Sequence, residues 1–161
     1  MGIFATILIF AVAYLLQTTF VSHIAIFGMK PDLILAALIC FGAFHGKEKG
    51  ALMAAIMGII VDLLFGKIFG VYTLMYLYIV VAASVIFEFL FEHNILTVGV
   101  VTLTLGLVGG ILYSLVLRLS GQQFGLLFIV KMVLPCALYT ALASAVLYPV
   151  LSRIYRRYEI A

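Results

Sequence analysis

Long apolar runs alternate with short charged turns along the chain. Asp, Glu, Lys and Arg are absent from 1–29, 68–87, 93–117 and 132–152. Because about 20 consecutive apolar residues allow a helix to cross a bilayer, each of these runs is long enough for one span. The shorter uncharged runs 33–46 and 50–61 reach that length only if their charged ends snorkel to the interface and Asp62 lies inside a span.

This pattern predicts six helices separated by short polar or glycine-rich segments. A turn at 23–31 follows the first helix, Gly46–Gly50 forms a tight polar hairpin, and Pro31 suits the first position of a helix. A strand barrel would show alternating ten-residue segments, which the sequence lacks. The predicted helices span about 3–25, 31–46, 50–66, 70–91, 95–117 and 125–151.

The composition places these helices in a membrane. Of the 161 residues, 67% are apolar and 9% are charged, whereas soluble domains carry about 25% charged residues. A chain of this size has too little interior to bury so many apolar side chains. The composition therefore excludes an ordinary soluble enzyme and a disordered chain. It indicates an all-α, polytopic integral membrane protein with a single transmembrane domain over 1–161.

The basic C-terminal tail, 152–161, orients the predicted spans. It contains Arg153, Arg156 and Arg157, and basic segments tend to stay on the cytoplasmic side of a membrane. Six spans then place both termini in the cytoplasm. An odd number of spans is the alternative, and it would place the N-terminus outside.

Asp62 is a carboxylate inside an apolar stretch, and it belongs to a ladder of mostly small side chains spaced four residues apart. The ladder consists of Ala54, Gly58, Asp62, Gly66 and Gly70. Residues at this spacing share one helical face, and small residues let another backbone approach closely. Two interpretations stay open: a helix-packing or partner-binding face around a buried carboxylate, or an Asp62 that only caps the turn at 66–70.

Lys131 is the second charge inside an apolar stretch. If the last predicted helix already contains it, Lys131 approaches the depth of Asp62, and an ion pair between the two would neutralise both charges. The alternative is that 119–130 lies outside or flat on the membrane, so that Lys131 snorkels to the interface.

The other features of the sequence indicate helix packing rather than chemistry. Gly106 and Gly110 form a second small-residue step, which suits close contact between helices. The chain contains no H-E-x-x-H, no nucleophile elbow, no phosphate-binding glycine loop and no basic stripe for nucleic acid. We therefore expect no catalytic residue, no metal, no cofactor and no nucleic-acid partner.

The region 31–70 carries a motif that resembles a known family. It reads P-D-L at 31–33, followed by G-x-x-x-D-L-L-x-G-x-x-x-G at 58–70. With the short length and the basic C-terminal end, this order is similar to the rod shape-determining protein MreD family. The resemblance implies structural roles for Pro31 and Asp32 at a turn and for the glycines in helix contacts.

The resemblance also implies a function. It points to a non-enzymatic component of the bacterial elongation machinery in the cytoplasmic membrane, surrounded by lipid. MreC would be the main partner and a second MreD copy a further one. MreB, RodA and a class B penicillin-binding protein would be indirect partners. The family is similar in fold to the S-components of energy-coupling-factor transporters, and six helices agree with that fold.

Two functions compete at this point: a scaffold that binds MreC, or a small-solute (vitamin) binding S-component. A solute receptor needs several convergent polar groups in its pocket. The predicted outer loops and upper spans contain few polar side chains, and the sequence therefore favours the scaffold.

Overall fold

A computed structural model describes residues 3–19, 31–66, 69–90, 94–121 and 126–159 of the chain. The regular elements in these ranges are all helices, as the sequence predicts. They are α1 (Ile3–Thr19), α2 (Leu33–Phe65), α3 (Val71–Phe89), α4 (Ile95–Leu119) and α5 (Leu126–Glu159). The remainder of the predicted first helix and most of the turn at 23–31 lie outside the described residues.

The second and third predicted helices form one element, α2, rather than two helices joined by a hairpin loop. Lys47, Glu48 and Lys49 are helical, and the only non-helical residue inside α2 is Gly46, with φ 77° and ψ 178°. This backbone conformation is essentially restricted to glycine. Gly46 alone therefore interrupts the helix, where the sequence predicted a five-residue turn.

The two halves of α2 fold back on each other at Gly46. A Cβ atom at Gly50 would lie 3.1 Å from the Cα atom of Gly42. In a continuous helix, residues eight positions apart are separated by about 12 Å, because each residue rises 1.5 Å. Val80 and Ser84 of α3 also lie close to both glycines, so the two halves and α3 meet at one tight contact.

The prediction of six separate spans is wrong. Among the described residues, three helical segments are long and apolar enough to cross a membrane: Val71–Phe89, Ile95–Leu119 and Val130–Tyr155. The apolar part of α1, Ile7–Thr19, is shorter. The count is lower because α2 carries charged residues at its reversal instead of in a loop, so its halves are not separate apolar helices. The composition and these three helices agree with a membrane protein.

The last helix is longer than predicted. It continues to Glu159, so most of the predicted tail 152–161 consists of the final turns of α5. Pro135 and Pro149 both lie within this helix. A proline in a helix removes one backbone hydrogen bond, and neighbouring groups in a membrane helix can compensate for that loss.

The helices pack around α2. The buried core draws mainly on α2 and α3 and includes Ile34, Leu38, Ile39, Tyr76, Ile79, Val80, Ala83 and Phe87. Helix α2 also contacts α1, α4 and α5, and α3 and α5 both contact α4. Within the described part of the chain, the backbone of α1 approaches α2 and no other helix. A cleft lies between α1 and α5 at the level of Ala13 and Leu142.

The first half of α2 and α5 run in the same direction. At one level the Asp32 backbone N–H donates to the Thr140 hydroxyl oxygen at 3.1 Å, and further along the Phe44 and Tyr148 rings stack with centroids 5.2 Å apart. Thr140 is about 21 Å along α5 from Leu126 at 1.5 Å per residue. The N-terminus of α2 therefore meets α5 part-way along its length.

Candidate functional site

Asp62 is buried near the end of α2, and it caps the N-terminus of the next helix. Its side chain is 3% exposed. One carboxylate oxygen accepts the Tyr72 backbone N–H at 3.0 Å. The other accepts the Thr73 backbone N–H at 2.9 Å and the Thr73 hydroxyl at 2.5 Å. The carboxylate thus satisfies backbone N–H groups that the first turn of α3 leaves without partners.

The structure combines one feature from each of the two interpretations of Asp62. The carboxylate is buried, as the first interpretation required, and it is a cap, as the second required. The group it caps is the start of α3, however, and not the turn at 66–70 itself. A negative charge at a helix N-terminus is stabilised by the helix dipole, which helps to explain how a carboxylate can be buried here.

The predicted ion pair between Asp62 and Lys131 does not form. Both Asp62 oxygens are engaged by α3, while Lys131 is exposed on α5. Within the described ranges the one salt bridge joins Lys47 and Glu88, whose Nζ and Oε2 atoms are 3.7 Å apart. Backbone N–H groups of α3 therefore pair with the Asp62 carboxylate, in place of the Lys131 side chain that the sequence suggested.

Asp32 plays a similar role at the start of α2. Its Oδ1 atom accepts the Leu35 backbone N–H at 2.9 Å, and its Oδ2 atom accepts the Tyr76 hydroxyl at 2.7 Å. Asp32 is therefore the N-cap of α2 and is also bonded to α3. Pro31 precedes the cap, so the prediction that it occupies the first helical position is wrong.

Two further bonds join α1 and α4 to these carboxylate sites. The Gln17 Oε1 atom accepts the Ile34 backbone N–H at 3.0 Å, and the Tyr72 hydroxyl donates to the Tyr113 hydroxyl at 3.2 Å. We use the name polar cluster for the eight residues whose side chains make these interhelical bonds. They are Gln17, Asp32, Asp62, Tyr72, Thr73, Tyr76, Tyr113 and Thr140.

The polar cluster contains at least one side chain from every helix or its N-cap. In hydrocarbon an unpaired polar group costs several kcal/mol, so polar side chains that bond one another hold helices together where apolar burial supplies little driving force. The cluster can thus fix the arrangement of the helices.

The predicted small-residue ladder packs α2 against α3. Ala54 is fully buried, and a Cβ atom at Gly58 would lie 2.5 Å from the Cα atom of Thr73. Gly66 ends α2, and its N–H donates to the Asp62 carbonyl oxygen at 3.0 Å. Gly70 precedes α3 with φ 94°, a left-handed conformation that favours glycine. The ladder is thus a helix face only up to Asp62, and its last two glycines form the turn.

Gly106 and Gly110 pack α4 against α5. A Cβ atom at Gly110 would lie 2.5 Å from a methyl carbon of Val133, whereas a Cβ atom at Gly106 would lie 3.5 Å from that of Ala137. Only Gly110 is therefore required for this approach. The small-residue faces singled out from the sequence are consequently occupied by helices of the same chain.

Comparison with known proteins identifies the family of this chain. The sequence profile described as rod shape-determining protein MreD matches residues 1–158. The chain belongs to the MreD family. No curated protein and no solved structure matches it significantly, and the expected similarity to the S-component fold is therefore not supported. The resemblance stated from 31–70 is confirmed, and membership in this family assigns the chain to the cell-shape-determining membrane proteins.

Several residues of this MreD-family chain escaped the sequence analysis. Gln17, Tyr76 and Thr140 are neither charged nor part of a motif. Gly42 was overlooked although a Cβ atom there would lie 2.6 Å from the Ser84 hydroxyl oxygen. Its spacing of eight residues from Gly50, centred on Gly46, was a signal that could have revealed the hairpin.

Aromatic side chains pack at the end of the bundle that contains Gly46, which we call the Gly46 end. The Phe44 ring stacks on Tyr148 and on Tyr155, with centroids 5.2 Å away in each case. The His45 ring stacks on Phe41 with a centroid distance of 4.1 Å. The two Phe44 stacks hold the first half of α2 against the end of α5.

The described side chains provide no metal centre, and the groove between α1, α2 and α5 is apolar. Among them, no group of three His, Cys, Asp or Glu residues could hold a metal ion. A groove of about 330 Å³ lies between α1, α2 and α5. Its lining is Ala13, Leu16, Leu33, Leu142, Ala143, Val146 and Leu147. Such a wall offers no hydrogen-bonding side chain to a polar solute.

Proposed function

We propose that this chain is a non-enzymatic scaffold of the bacterial elongation machinery that binds MreC and thereby supports cell-shape maintenance and lateral peptidoglycan synthesis. The observation that carries the proposal is the use of two carboxylates inside the helix bundle, the buried Asp62 and the partly buried Asp32. The Asp62 oxygens accept hydrogen bonds from α3, and the Asp32 oxygens accept one from the first turn of α2 and one from Tyr76 of α3. A general acid or base needs instead to reach a substrate proton.

The scaffold interpretation also agrees with the balance of polar and apolar surface. The polar cluster stabilises the arrangement of the helices, while the surface of the bundle exposes many large apolar side chains. In a bilayer such surfaces face lipid or the transmembrane helices of partners. MreC is the direct partner in this proposal, a second copy of the chain is a further one, and MreB, RodA and a class B penicillin-binding protein are reached indirectly.

We place the chain in the cytoplasmic membrane as a multi-pass protein, with the Gly46 end toward the cytoplasm. Lys47, Lys49 and Arg153 all belong to this end and are exposed. An excess of basic residues is typical of cytoplasmic segments. The opposite end, which contains the start of α3, then faces outward, and both termini are cytoplasmic if α1 crosses the membrane.

Co-purification with MreC tests the proposed function. The tagged chain would be expressed with the MreC of its own organism, extracted in mild detergent and analysed by mass spectrometry for proteins and small molecules. We expect MreC in stoichiometric amount and no bound vitamin. A tightly held small molecule without MreC would contradict the scaffold and favour a solute-binding subunit.

A matched pair of variants makes this experiment sharper. Leu74 is 71% exposed on α3 and Leu142 is 64% exposed on α5, so neither contributes to the buried core. Leu74→Ala and Leu142→Ala should both leave the chain folded. Loss of MreC with one variant and not the other would show that binding depends on a particular face rather than on general hydrophobicity.

A further inference from the structure

The cleft between α1 and α5 is open away from the Gly46 end, whereas at the Gly46 end Phe10 of α1 and Leu151 of α5 line a space of only about 10 Å³. Within the described residues the backbones of α1 and α5 do not approach each other. The apolar groove of about 330 Å³ lies in this cleft. Its lining includes Ala143 of α5, whereas Ala13 of α1 is only 5% exposed and belongs to the buried core. The small side chain of Ala143 on the α5 wall would let the backbone of another helix approach closely.

Two cations mark the ends of the α5 wall. Leu142, which lines the groove, lies eleven residues after Lys131 and eleven before Arg153. Eleven residues correspond to about three helical turns, so the three side chains lie on one line along α5. Lys131 and Arg153 are both exposed. They are separated by about 33 Å at 1.5 Å per residue, close to the hydrocarbon thickness of about 30 Å.

This line is apolar between its two charges. Leu138, Leu142 and Val146 are exposed along it, Val146 by 68%. Neither cation forms a salt bridge with a described residue, and the sequence has no Asp or Glu between Glu92 and Glu159. The segment from α4 through most of α5 therefore supplies positive charge at both ends of this apolar surface and no negative charge to balance it.

The charges identify the kind of occupant. A second copy related by a twofold axis along the membrane normal would bring Lys131 close to Lys131 and Arg153 close to Arg153, and like charges brought together oppose association. A helix with an acidic side chain at the outer level would instead complement Lys131. At the inner level, Arg153 can extend into the lipid headgroups because its side chain snorkels.

We propose that the α1–α5 cleft is the docking site for a single transmembrane helix of a partner, apolar across the membrane and carrying an acidic side chain that pairs with Lys131. This inference rests on the proposed function, since it supplies the surface through which the scaffold binds its membrane-anchored partner. Ala143 provides the close approach, and Lys131 fixes the register of the incoming helix along the membrane normal.

Photo-crosslinking in membranes tests the location. A photoreactive amino acid would replace Leu142 in the cleft or, as a control, Leu74 on α3, which contacts α2 and α4 but not α1 or α5. MreC would be co-expressed as the probe. We expect an MreC adduct from position 142 in at least about fivefold excess over position 74. An adduct with a second copy, an adduct with lipid alone, or an MreC adduct confined to position 74 would overturn the inference.

Charge reversal tests the recognition of Lys131. We expect Lys131→Glu to reduce co-purified MreC about tenfold, because like charges at an interface strongly oppose binding. Lys131→Arg should retain MreC within about twofold. Arg118→Glu is the matched control, since Arg118 is an exposed cation on α4 outside the cleft. Equal losses for Lys131→Glu and Arg118→Glu, or no loss for either, would overturn the inference.

The two proposals can fail separately. Size-exclusion profiles in detergent would establish that every variant is folded. If the unaltered chain binds no MreC, the proposed function fails. If the unaltered chain binds MreC but the cleft residues affect neither crosslinking nor recovery, the scaffold stands and the α1–α5 docking site is wrong.

Discussion

The Tyr76 hydroxyl donates a 2.7 Å hydrogen bond to Oδ2 of Asp32 and so joins α3 to the N-cap of α2. Tyr76 is 2% exposed. Asp32 in turn is held to α5 through its own backbone N–H and Thr140. One carboxylate residue thus links three helices, and its loss should affect all of them together.

Removal of the Tyr76 hydroxyl tests this link. We expect Tyr76→Phe to destabilise the fold by about 1–2 kcal/mol, because a partly buried carboxylate oxygen loses its donor. The measurement is the midpoint of thermal unfolding in detergent. Tyr78→Phe is the control, since Tyr78 lies on the same helix and is 56% exposed. An equal midpoint for both variants would contradict the importance of the bond.

Substitution of Asp62 should separate the loss of charge from the loss of hydrogen bonding. Asp62→Asn keeps a carbonyl oxygen that can accept one N–H of α3, whereas Asp62→Leu leaves three donors without an acceptor. We expect Asn to cost about 1–2 kcal/mol and Leu more than about 3 kcal/mol, since each buried unpaired group is expensive. Thermal unfolding in detergent is again the readout, and indistinguishable midpoints would show that the cap contributes little.

Glycine-to-alanine substitutions should destabilise the fold where the glycine lies at a close helix contact and should be tolerated elsewhere. Gly58→Ala would place a Cβ atom 2.5 Å from the Thr73 Cα atom, and overpacking of this kind costs about 1–3 kcal/mol. Gly106→Ala meets Ala137 only at ordinary contact distance and should be nearly neutral or stabilising. The yield of monodisperse protein after extraction measures the difference. A lower yield for Gly106→Ala than for Gly58→Ala would contradict the α2–α3 contact.

The reversal at Gly46 can be tested independently of packing. A Cβ atom at this position has open space around it, so any cost of Gly46→Ala comes from the backbone conformation. We expect a loss of about 1–3 kcal/mol for a residue forced into this region. Gly99→Ala is the control because Gly99 is helical and also has open space, and there alanine should stabilise the helix. Similar stability of the two variants would be incompatible with the observed turn.

The sequence predicted the apolar helices better than the connections between them. The predicted helix 95–117 corresponds to Ile95–Leu119, because Asn94 and Arg118 mark where the apolar run begins and ends. The hairpin at 46–50 was placed correctly along the chain, but its form was not. Charged residues usually indicate a loop, and the sequence pattern does not show that one glycine is enough to reverse a helix.

The buried site was predicted by residue type but not by partner. Asp62, Gly58 and Asp32, which the motif singled out, all lie at contacts between helices. The pairing of Asp62 with Lys131 was wrong because a search among side chains overlooks backbone donors, and those donors become available only where a helix begins. The contribution of Tyr76 could not be predicted, since its hydroxyl reaches a carboxylate that is distant in sequence.

The reversal at Gly46 also constrains the topology of the whole chain. Because α2 turns back on itself, it starts and finishes toward the same face of the membrane, whatever depth its hinge reaches. Helix α2 therefore crosses the membrane twice or not at all. The sidedness of α3, α4 and α5 would be unchanged if the hairpin became shallower or deeper. Insertions near Gly46 could thus alter the length of α2 during evolution without inverting the helices that follow it.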